Sequence, residues 1–380
     1  MKKKILFVND EMTMGGVARI LNTFLSMIDK DKYDVDLLLL HERGELLSEI
    51  PSCVNVLKGT DFFNRVDIPI IEKFDFSKLR LLFYMKTGLI KRKIAVERKK
   101  ILDKHYDIEF AAKEGFCTIF TAYGDSDLKI NWIQTDYKQN NYSKNHMSLV
   151  KEALHKIDMN IACSESVKNS YSEVFGVDNI AVIHNLIDED RIRRMADEKM
   201  DVKTIDNKIN IVCVARFHPQ KGLSRLLNVY GKLKDYYHLT IIGDGELREQ
   251  LYSQAKQLGI FEEIDWLGIM ANPYPVVKAN DLFVMPSLYE GYPTITIESL
   301  LSTTPVLTTD VSGVKEQLTK KEYGFIVDNN EDALYQKLDE LKDKKELLKE
   351  YKEKLVNYKY NNEDILNSYY YYFDGLKKTR

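Results

Sequence analysis

Residues 281–316 read DLFVMPSLYEGYPTITIESLLSTTPVLTTDVSGVKE, and the punctuation of this stretch decides the fold. Four apolar residues, Leu282 to Met285, stop at Pro286-Ser287; after the turn Leu288-Tyr289-Glu290-Gly291-Tyr292-Pro293-Thr294 a helix-period segment runs from about Ile295 through Leu301. A short apolar run, a Pro/Gly break and a helical period together spell a buried strand feeding a helix. Glu290 sits in the turn and Glu298 eight residues on, inside the helix, so the first can point at a ligand above the strand end and the second can face it from the side. Gly291 leaves room for close backbone approach, and N–H groups at the helix start suit a phosphate.

The same alternation extends outward in both directions. Strands are expected at 5–8, 35–40, 54–57, 108–111, 129–133 and 160–163, with a helix at 17–29 directly after the first. The pattern then restarts at 209–214 and continues at 238–242, 264–267, 282–285, 306–308 and 324–327. Strands alternating with helices give parallel sheets covered on both faces, so the expected fold is α/β with two doubly wound, Rossmann-like domains. The boundary is expected near His184–Ile187, giving domains at 1–184 and 185–360, with 361–380 as a last helix that docks through Tyr369-Tyr370-Tyr371-Tyr372 toward the N-terminal domain. Ligands of such sheets bind outside the carboxyl ends of the strands, which predicts a cleft with a ligand site on each wall.

A length of 380 residues fits two domains. With 44% hydrophobic and 30% charged residues the chain is no disordered or collagen-like polymer. The formal net charge of −3 gives no electrostatic case for nucleic acid. Cys53, Cys117, Cys163 and Cys213 form no C-x-x-C pair, which argues against zinc and against a disulfide framework, and the seven histidines show no ligand spacing. The opening KKKILFV ends at Asn9-Asp10-Glu11 and reads as a first strand rather than a signal peptide, and no uncharged apolar run reaches 18 residues. A cytoplasmic protein is expected.

The motifs around Glu290 resemble the retaining glycosyltransferase family four, with its E-x7-E signature and GT-B architecture of two Rossmann-like domains facing across a cleft. The resemblance rests on Ser287 to Pro293 followed by Glu298, Pro305-Val306-Leu307 and Gly313-Val314-Lys315-Glu316. Upstream, Arg216 and Lys221-Gly222 are similar to the family's phosphate segment, Gly243-Asp244-Gly245 to its GDG turn, and Gly15-Gly16 to its N-terminal glycine loop. The resemblance implies an acceptor-binding N-terminal domain, a donor-binding C-terminal domain, and transfer from a nucleotide-diphosphate sugar, UDP-linked, in cell-envelope or capsular polysaccharide synthesis. Arg216 and Lys221 would offset the diphosphate, aided by the helix starts after Gly16 and Gly291; Glu290 would contact the donor sugar and Glu298 the ribose. Trp266-Leu267-Gly268 would lie by the base, with Ile269 offering backbone groups, and Tyr292, Pro293 and Thr294 would complete the donor site. The reaction implied is a front-face substitution with neither cofactor nor metal.

Three features stand apart from that pattern. Asn131-Trp132-Ile133-Gln134-Thr135-Asp136 resembles a family segment that in many relatives carries histidine where this chain has Gln134; an amide donates and accepts hydrogen bonds but carries no charge. Gly15, Gln134 and Asp136 are therefore candidates on the sugar or acceptor side, and a catalytically silent subunit that binds nucleotide sugar is the rival reading. Asp125-Ser126-Asp127 matches a D-x-D metal motif but lacks a phosphate segment and reads as a solvated loop. Between Glu72 and Lys104, eleven basic residues stand against four acidic ones, interleaved with aromatic and aliphatic residues. That composition fits an interfacial segment or an ordinary helix with a solvated basic face; the resemblance to family members that extend lipid-linked glycans implies the first, a peripheral protein on the inner face of the membrane that meets a glycan or lipid-linked glycan acceptor. A dehydrogenase is disfavoured, because no G-x-G-x-x-G follows the first strand.

Overall fold

The computed structural model describes residues 2–13, 15–64, 83–84, 87–139 and 144–375. The chain divides into two units, residues 1–186 with 362–380 and residues 187–361. Each is built on one wholly parallel sheet.

In the first unit the strands are β1 (Lys3–Asn9), β2 (Tyr33–Leu39), β3 (Asn55–Lys58), β4 (Ile108–Ala111), β5 (Leu128–Ile133), β6 (Met159–Ala162) and β7 (Ile180–Val182), in the order β3-β2-β1-β4-β5-β6-β7. The short β7 was not among the expected strands; three residues are too few to carry a period. The second unit holds β8 (Ile209–Val214), β9 (Tyr237–Ile242), β10 (Ile264–Gly268), β11 (Leu282–Met285), β12 (Val306–Thr309) and β13 (Gly324–Val327), in the order β10-β9-β8-β11-β12-β13. Both orders reverse direction beside the first strand of the unit, the topology that gathers loops at the carboxyl edge.

Burial on both faces explains why the strand sequences are continuous apolar runs rather than alternating ones. Ile5, Leu6, Phe7 and Val8 are fully buried, as are Leu282, Phe283 and Val284. Helix starts are set locally: Ser164 Oγ accepts the Val167 N–H ahead of the helix Glu165–Phe175, and Asn330 does the same for Glu331–Leu341 through Ala333.

The last helix, Asn362–Gly375, contributes to the first unit's core although it follows the whole second unit in sequence. Tyr369 is fully buried 4.5 Å from the Phe24 ring centroid, and Phe373 stacks on Phe24. Lys3 Nζ donates to Phe373 O at 2.8 Å, and Asp29 N to Tyr370 Oη at 2.8 Å. The aromatic run thus splits by helical spacing into an inward face, Tyr369 and Phe373, and the outward Tyr371.

Candidate active site

The carboxyl edge of the second sheet carries most of the expected donor residues. The β8 exit, Ala215-Arg216-Phe217, lies against the β9 exit: Phe217 N donates to Asp244 O, and Gly243 and Gly245 have φ of +134° and +157°. A Cβ on Gly243 would stand 1.9 Å from Ala215 O, and one on Gly245 2.6 Å from Phe217 O. These glycines let two strand exits touch. Arg216, held at that junction, is exposed and forms no ion pair among the described residues.

Next comes the turn Pro219–Lys221, capped by His218 Nδ1, then Gly222 at φ +64° and the helix Leu223–Leu233. A Cβ on Gly222 would lie 2.0 Å from Pro286 O, so only glycine permits the approach that brings Lys221 to the Glu290 loop. Lys221 Nζ donates to Glu290 Oε1 at 2.6 Å. Ser287 Oγ donates to the same oxygen at 2.7 Å, and Gln220 Nε2 reaches Oε2 at 3.4 Å. Glu290 is only 8% exposed, so its carboxylate oxygens meet these donors rather than bulk water.

Lys221 and Glu290, expected on different parts of a donor, are therefore partners of one another here. Lys221 is not a free cation like Arg216. Glu298 does not join them: buried in the helix Thr294–Leu301, its Oε2 accepts from Tyr274 Oη at 3.2 Å. Gly291 lies in the turn before that helix, whose start no side chain caps. Tyr292 and Pro293 are largely used by the fold: Tyr292 is buried with its hydroxyl 3.2 Å from that of Tyr360, and Pro293 O accepts from Thr296 Oγ1 and Gln317 Nε2. At the β10 exit Leu267 and Ile269 are exposed. Trp266, expected beside a base, instead packs against Phe261 and Tyr252 and donates to Phe261 O at 3.2 Å. An indole with this much apolar surface is more stable packed against those two rings than left on the rim.

Two residues at this edge have roles that the sequence does not reveal. Ser287 was read only as part of a motif, and Arg225, whose guanidinium holds the Pro286–Ser287 carbonyls, looks in sequence like any basic residue on an amphipathic helix.

In the first unit, Gly15 and Gly16 open the helix Gly16–Met27. Gly15 is extended and a Cβ on Gly16 would meet nothing within 4 Å, so the fold does not require either glycine. Their lack of side chains leaves the helix start open to a ligand. Gln134 follows β5, and its amide is paired reciprocally with Asn185, Nε2 to Oδ1 and Nδ2 to Oε1, both at 2.9 Å. The Gln134 and Thr135 N–H groups both donate to Glu114, whose carboxyl burial pushes upward against those bonds. Asp136 accepts from Ser170 Oγ and from Lys138 N, a turn-holding role. Glu114 and Asn185 were invisible to the sequence reading, since a single Glu or Asn at a strand exit is ordinary.

Asp125 and Asp127 point outward, at 87% and 74% side-chain exposure, beside Arg98 and His105. No group of three or more His, Cys, Asp or Glu side chains able to hold a metal ion occurs among the described residues.

Part of the basic segment, including Lys73, Lys78, Arg80 and Lys86, lies outside the described residues. The rest forms the helix Ile90–Ile101 and its exit, where most charges are internally matched. Arg98 makes a bidentate buried pair with Glu109, Lys93 and Lys100 both bind Glu97, Lys91 binds Glu152, and Lys104 binds Asp36 at 2.9 Å. Arg92 and Lys99 remain outward, with exposed Ala95 and Val96 between them. No described helix is long and apolar enough to cross a membrane.

Residues 14–191 match the family model Glycosyltransferase Family 4, and residues 195–361 match Glycosyl transferases group 1. Among curated relatives, N-acetylgalactosamine-N,N'-diacetylbacillosaminyl-diphospho-undecaprenol 4-alpha-N-acetylgalactosaminyltransferase of Campylobacter jejuni is 26% identical over 337 residues, covering 85% of this chain and 86% of its own. Among solved structures, Anabaena Alr3699/HepE in complex with UDP and glucose superposes with a TM-score of 0.72 at 16% identity, covering 98% and 100% of the two chains. TarM gives 0.75 at 14% identity, covering 98% and 99%. With one glycosyltransferase model matching residues 14–191, another matching residues 195–361, and 98% of the chain superposing on solved structures, the chain is a two-domain glycosyltransferase of the GT-B fold.

Proposed function

We propose that the protein transfers a hexosyl or N-acetylhexosaminyl group from a UDP-sugar to a lipid-linked or free glycan acceptor in cell-envelope polysaccharide or glycoconjugate synthesis, with retention at the anomeric carbon and without a divalent metal. The observation that carries this reading is the Lys221–Glu290 contact at 2.6 Å, set beside the unpaired Arg216 on one sheet edge. A diphosphate arriving there meets one free guanidinium and one ammonium that Glu290 already holds in place. In the proposed reaction the bond from the anomeric carbon to the diphosphate oxygen breaks as the acceptor oxygen bonds on the same face, and the acceptor proton passes to the departing phosphate. Arg216 and Lys221 then act by stabilising the leaving charge, and Glu290 by orienting the sugar.

Glu298, held by Tyr274, is assigned to the ribose hydroxyls, Ile269 to the base, and Gly16 and Gly291 to close backbone approach. Gln134 and Asp136 are assigned to the acceptor side. The named activity of the Campylobacter relative on an undecaprenyl-linked glycan and the UDP in the Anabaena structure support the choice of donor and acceptor class. Turnover of a panel of nucleotide sugars with lipid-linked and free acceptors tests the reading, with the anomeric configuration of the product read by NMR and EDTA present throughout. An inverted product, or activity lost to EDTA and restored by Mn²⁺, overturns it.

The rival, a silent subunit that binds nucleotide sugar, is favoured by one observation: the Gln134 amide is already engaged by Asn185. It is supported if calorimetry finds a UDP-sugar bound and the panel finds no transfer. Peripheral attachment to the inner face of the membrane through residues 72–104 rests on Arg92, Val96 and Lys99. Flotation with anionic vesicles checks it: Arg92→Ser with Lys99→Ser should release the protein, each charge contributing about 1 kcal/mol, whereas Lys93→Ser should not.

A further inference from the structure

Arg225 is buried, yet no carboxylate lies within ion-pair distance of it among the described residues. Its guanidinium donates only to neutral acceptors: Nε to Pro286 O at 2.7 Å, Nη2 to Ser287 O and Thr309 Oγ1, and Nη1 to Asn329 Oδ1 at 2.9 Å. These acceptors belong to the exits of β11, β12 and β13. Thr309 Oγ1 also donates to Ser287 O at 2.6 Å, Asn329 Nδ2 to Leu288 O at 2.7 Å, and Leu288 N to Gln220 O at 2.7 Å. The backbone from Pro286 to Leu288 is thereby fixed at every polar atom these contacts reach.

A buried guanidinium with no carboxylate in contact is costly: burial lowers its pKa, and Glu331 opposes that only through space. The arrangement makes sense through what the fixed backbone carries. Ser287 projects from it to Glu290 Oε1, and Glu290 follows two residues after Leu288. On the other side, Gly222 presses on Pro286 O just after Lys221 and three residues before Arg225.

We propose that Arg225 is a positioning residue for the transfer reaction: its planar fork locks the segment carrying Ser287 and Glu290 to the segment carrying Lys221, and so sets the point at which the donor sugar is held. This deepens the UDP-sugar reading above and rests on it. A lysine cannot replace it, because one ammonium cannot present parallel donors to carbonyls on adjacent residues and to two further strand exits.

The test compares wild type, Arg225→Lys, Glu290→Gln and the double variant, using UDP and the UDP-sugar that the donor panel identifies. Arg225→Lys should lower kcat about 30-fold while the Kd for UDP stays within about 3-fold, because it acts on the sugar end of the donor. In the Glu290→Gln background the same change should cost less than about 3-fold, since the group it positions is already gone. The ratio of UDP-sugar to UDP affinity should also shrink in Arg225→Lys. Equal loss of kcat in both backgrounds, or equal weakening of UDP and UDP-sugar, would mean a general structural role and overturns the proposal. If Arg225→Lys does not fold, Asn329→Ala removes one anchor and should show the same split at about 3-fold to 10-fold. Wild type that binds no nucleotide sugar overturns the parent reading and this one together. Active wild type with an unaffected Arg225→Lys overturns this one alone.

Discussion

The carboxyl edges of the two sheets use polar residues in opposite ways. In the second unit, side chains far apart in sequence are joined into a charged cluster, Lys221 to Glu290 across 69 positions, with Arg216 left exposed. In the first unit the groups at corresponding places are mostly satisfied by their own fold: Gln134 and Asn185 by each other, Glu114 by two backbone N–H groups, Asp136 by Ser170. The ion pairs there tie strand exits to one another as well: Lys113 with Asp10 joins β4 to β1, Arg43 with Glu11 joins β2 to β1, and Lys58 with Glu42 joins β3 to β2. The difference lies in what is left over: at the second edge Arg216 makes no ion pair among the described residues, whereas at the first the charges of Lys113, Asp10, Arg43 and Glu11 are matched by one another and Gln134 is held in a preorganised hydrogen-bonded pair.

The sharpest way to break this contrast is to uncouple Lys221 from Glu290. Lys221→Ala should lower transfer about 10³-fold or more, since it removes a cation and strands a buried carboxylate beside the incoming diphosphate. It should also weaken UDP strongly. Glu290→Gln should abolish transfer to a similar degree while UDP binds as well as to wild type or better, because the carboxylate no longer competes for the ammonium. The double variant should recover about 10-fold in UDP affinity over Lys221→Ala by removing the stranded charge. Calorimetry that finds Lys221→Ala and the double variant equally weak would show that the two residues act independently.

A second test concerns the packing on which the first unit's edge depends. Tyr369→Ala should destabilise that unit by about 3 kcal/mol, at the low end for a buried aromatic truncation. Because Tyr369 packs on Phe24, Phe110 and Trp132, the loss should be followed by the near-ultraviolet signal of Trp132 while the second unit's melting is unchanged. Loss confined to the second unit's transition would contradict the assignment of the last helix.

Smaller again is the effect expected at Gln134. Asn185→Ala removes both partners of the Gln134 amide, and Gln134→Ala removes the same two bonds from Asn185; each should cost about 1–3 kcal/mol, in stability or in transfer. Neither wild type nor Asn185→Ala should show a pH limb in kcat traceable to position 134, because an amide does not titrate. A limb that disappears in Gln134→Ala would be inconsistent with the neutral role.

The smallest effect falls in the basic helix. Burial alone would raise the Glu97 carboxyl, but hydrogen bonds from Lys93, Thr60 and Lys100 outweigh it and hold the group down at about 2, against an ordinary 4.5. A carboxyl lowered on folding adds stability that is complete above its unfolded value and is lost as pH falls from 4.5 toward 2. The amount is on the order of 1 kcal/mol after screening, since Lys100 is half exposed. Glu97→Gln should flatten stability across that window in denaturant titrations. An unchanged slope would return Lys93 and Lys100 to the outward basic face.

Much of the architecture was legible because buried parallel strands must be continuous apolar runs, and those runs are visible at 5–8, 209–214 and 282–285. The Glu290 turn was legible for a related reason: Pro286 and Gly291 must interrupt the pattern where the chain leaves a strand for a helix. What escaped were side chains whose role depends on partners distant in sequence. Trp266 reads the same whether its ring stands free or is packed, and the rings of Tyr252 and Phe261 leave it partly buried against the core. Arg225 reads as a surface charge until three strand exits converge on it.

The sequence by itself determined two parallel sheets, the order of their motifs and the residue types at the strand exits, because hydrophobic period and Gly/Pro punctuation are local properties of the chain. Only the tertiary structure decided that Lys221 and Glu290 face one another, that Gln134 is held by Asn185, and that most of the described residues of the basic segment are matched from within. Each of these depends on which distant segments meet, and hydrogen-bond geometry at 2.6–2.9 Å is fixed by that meeting rather than by local sequence.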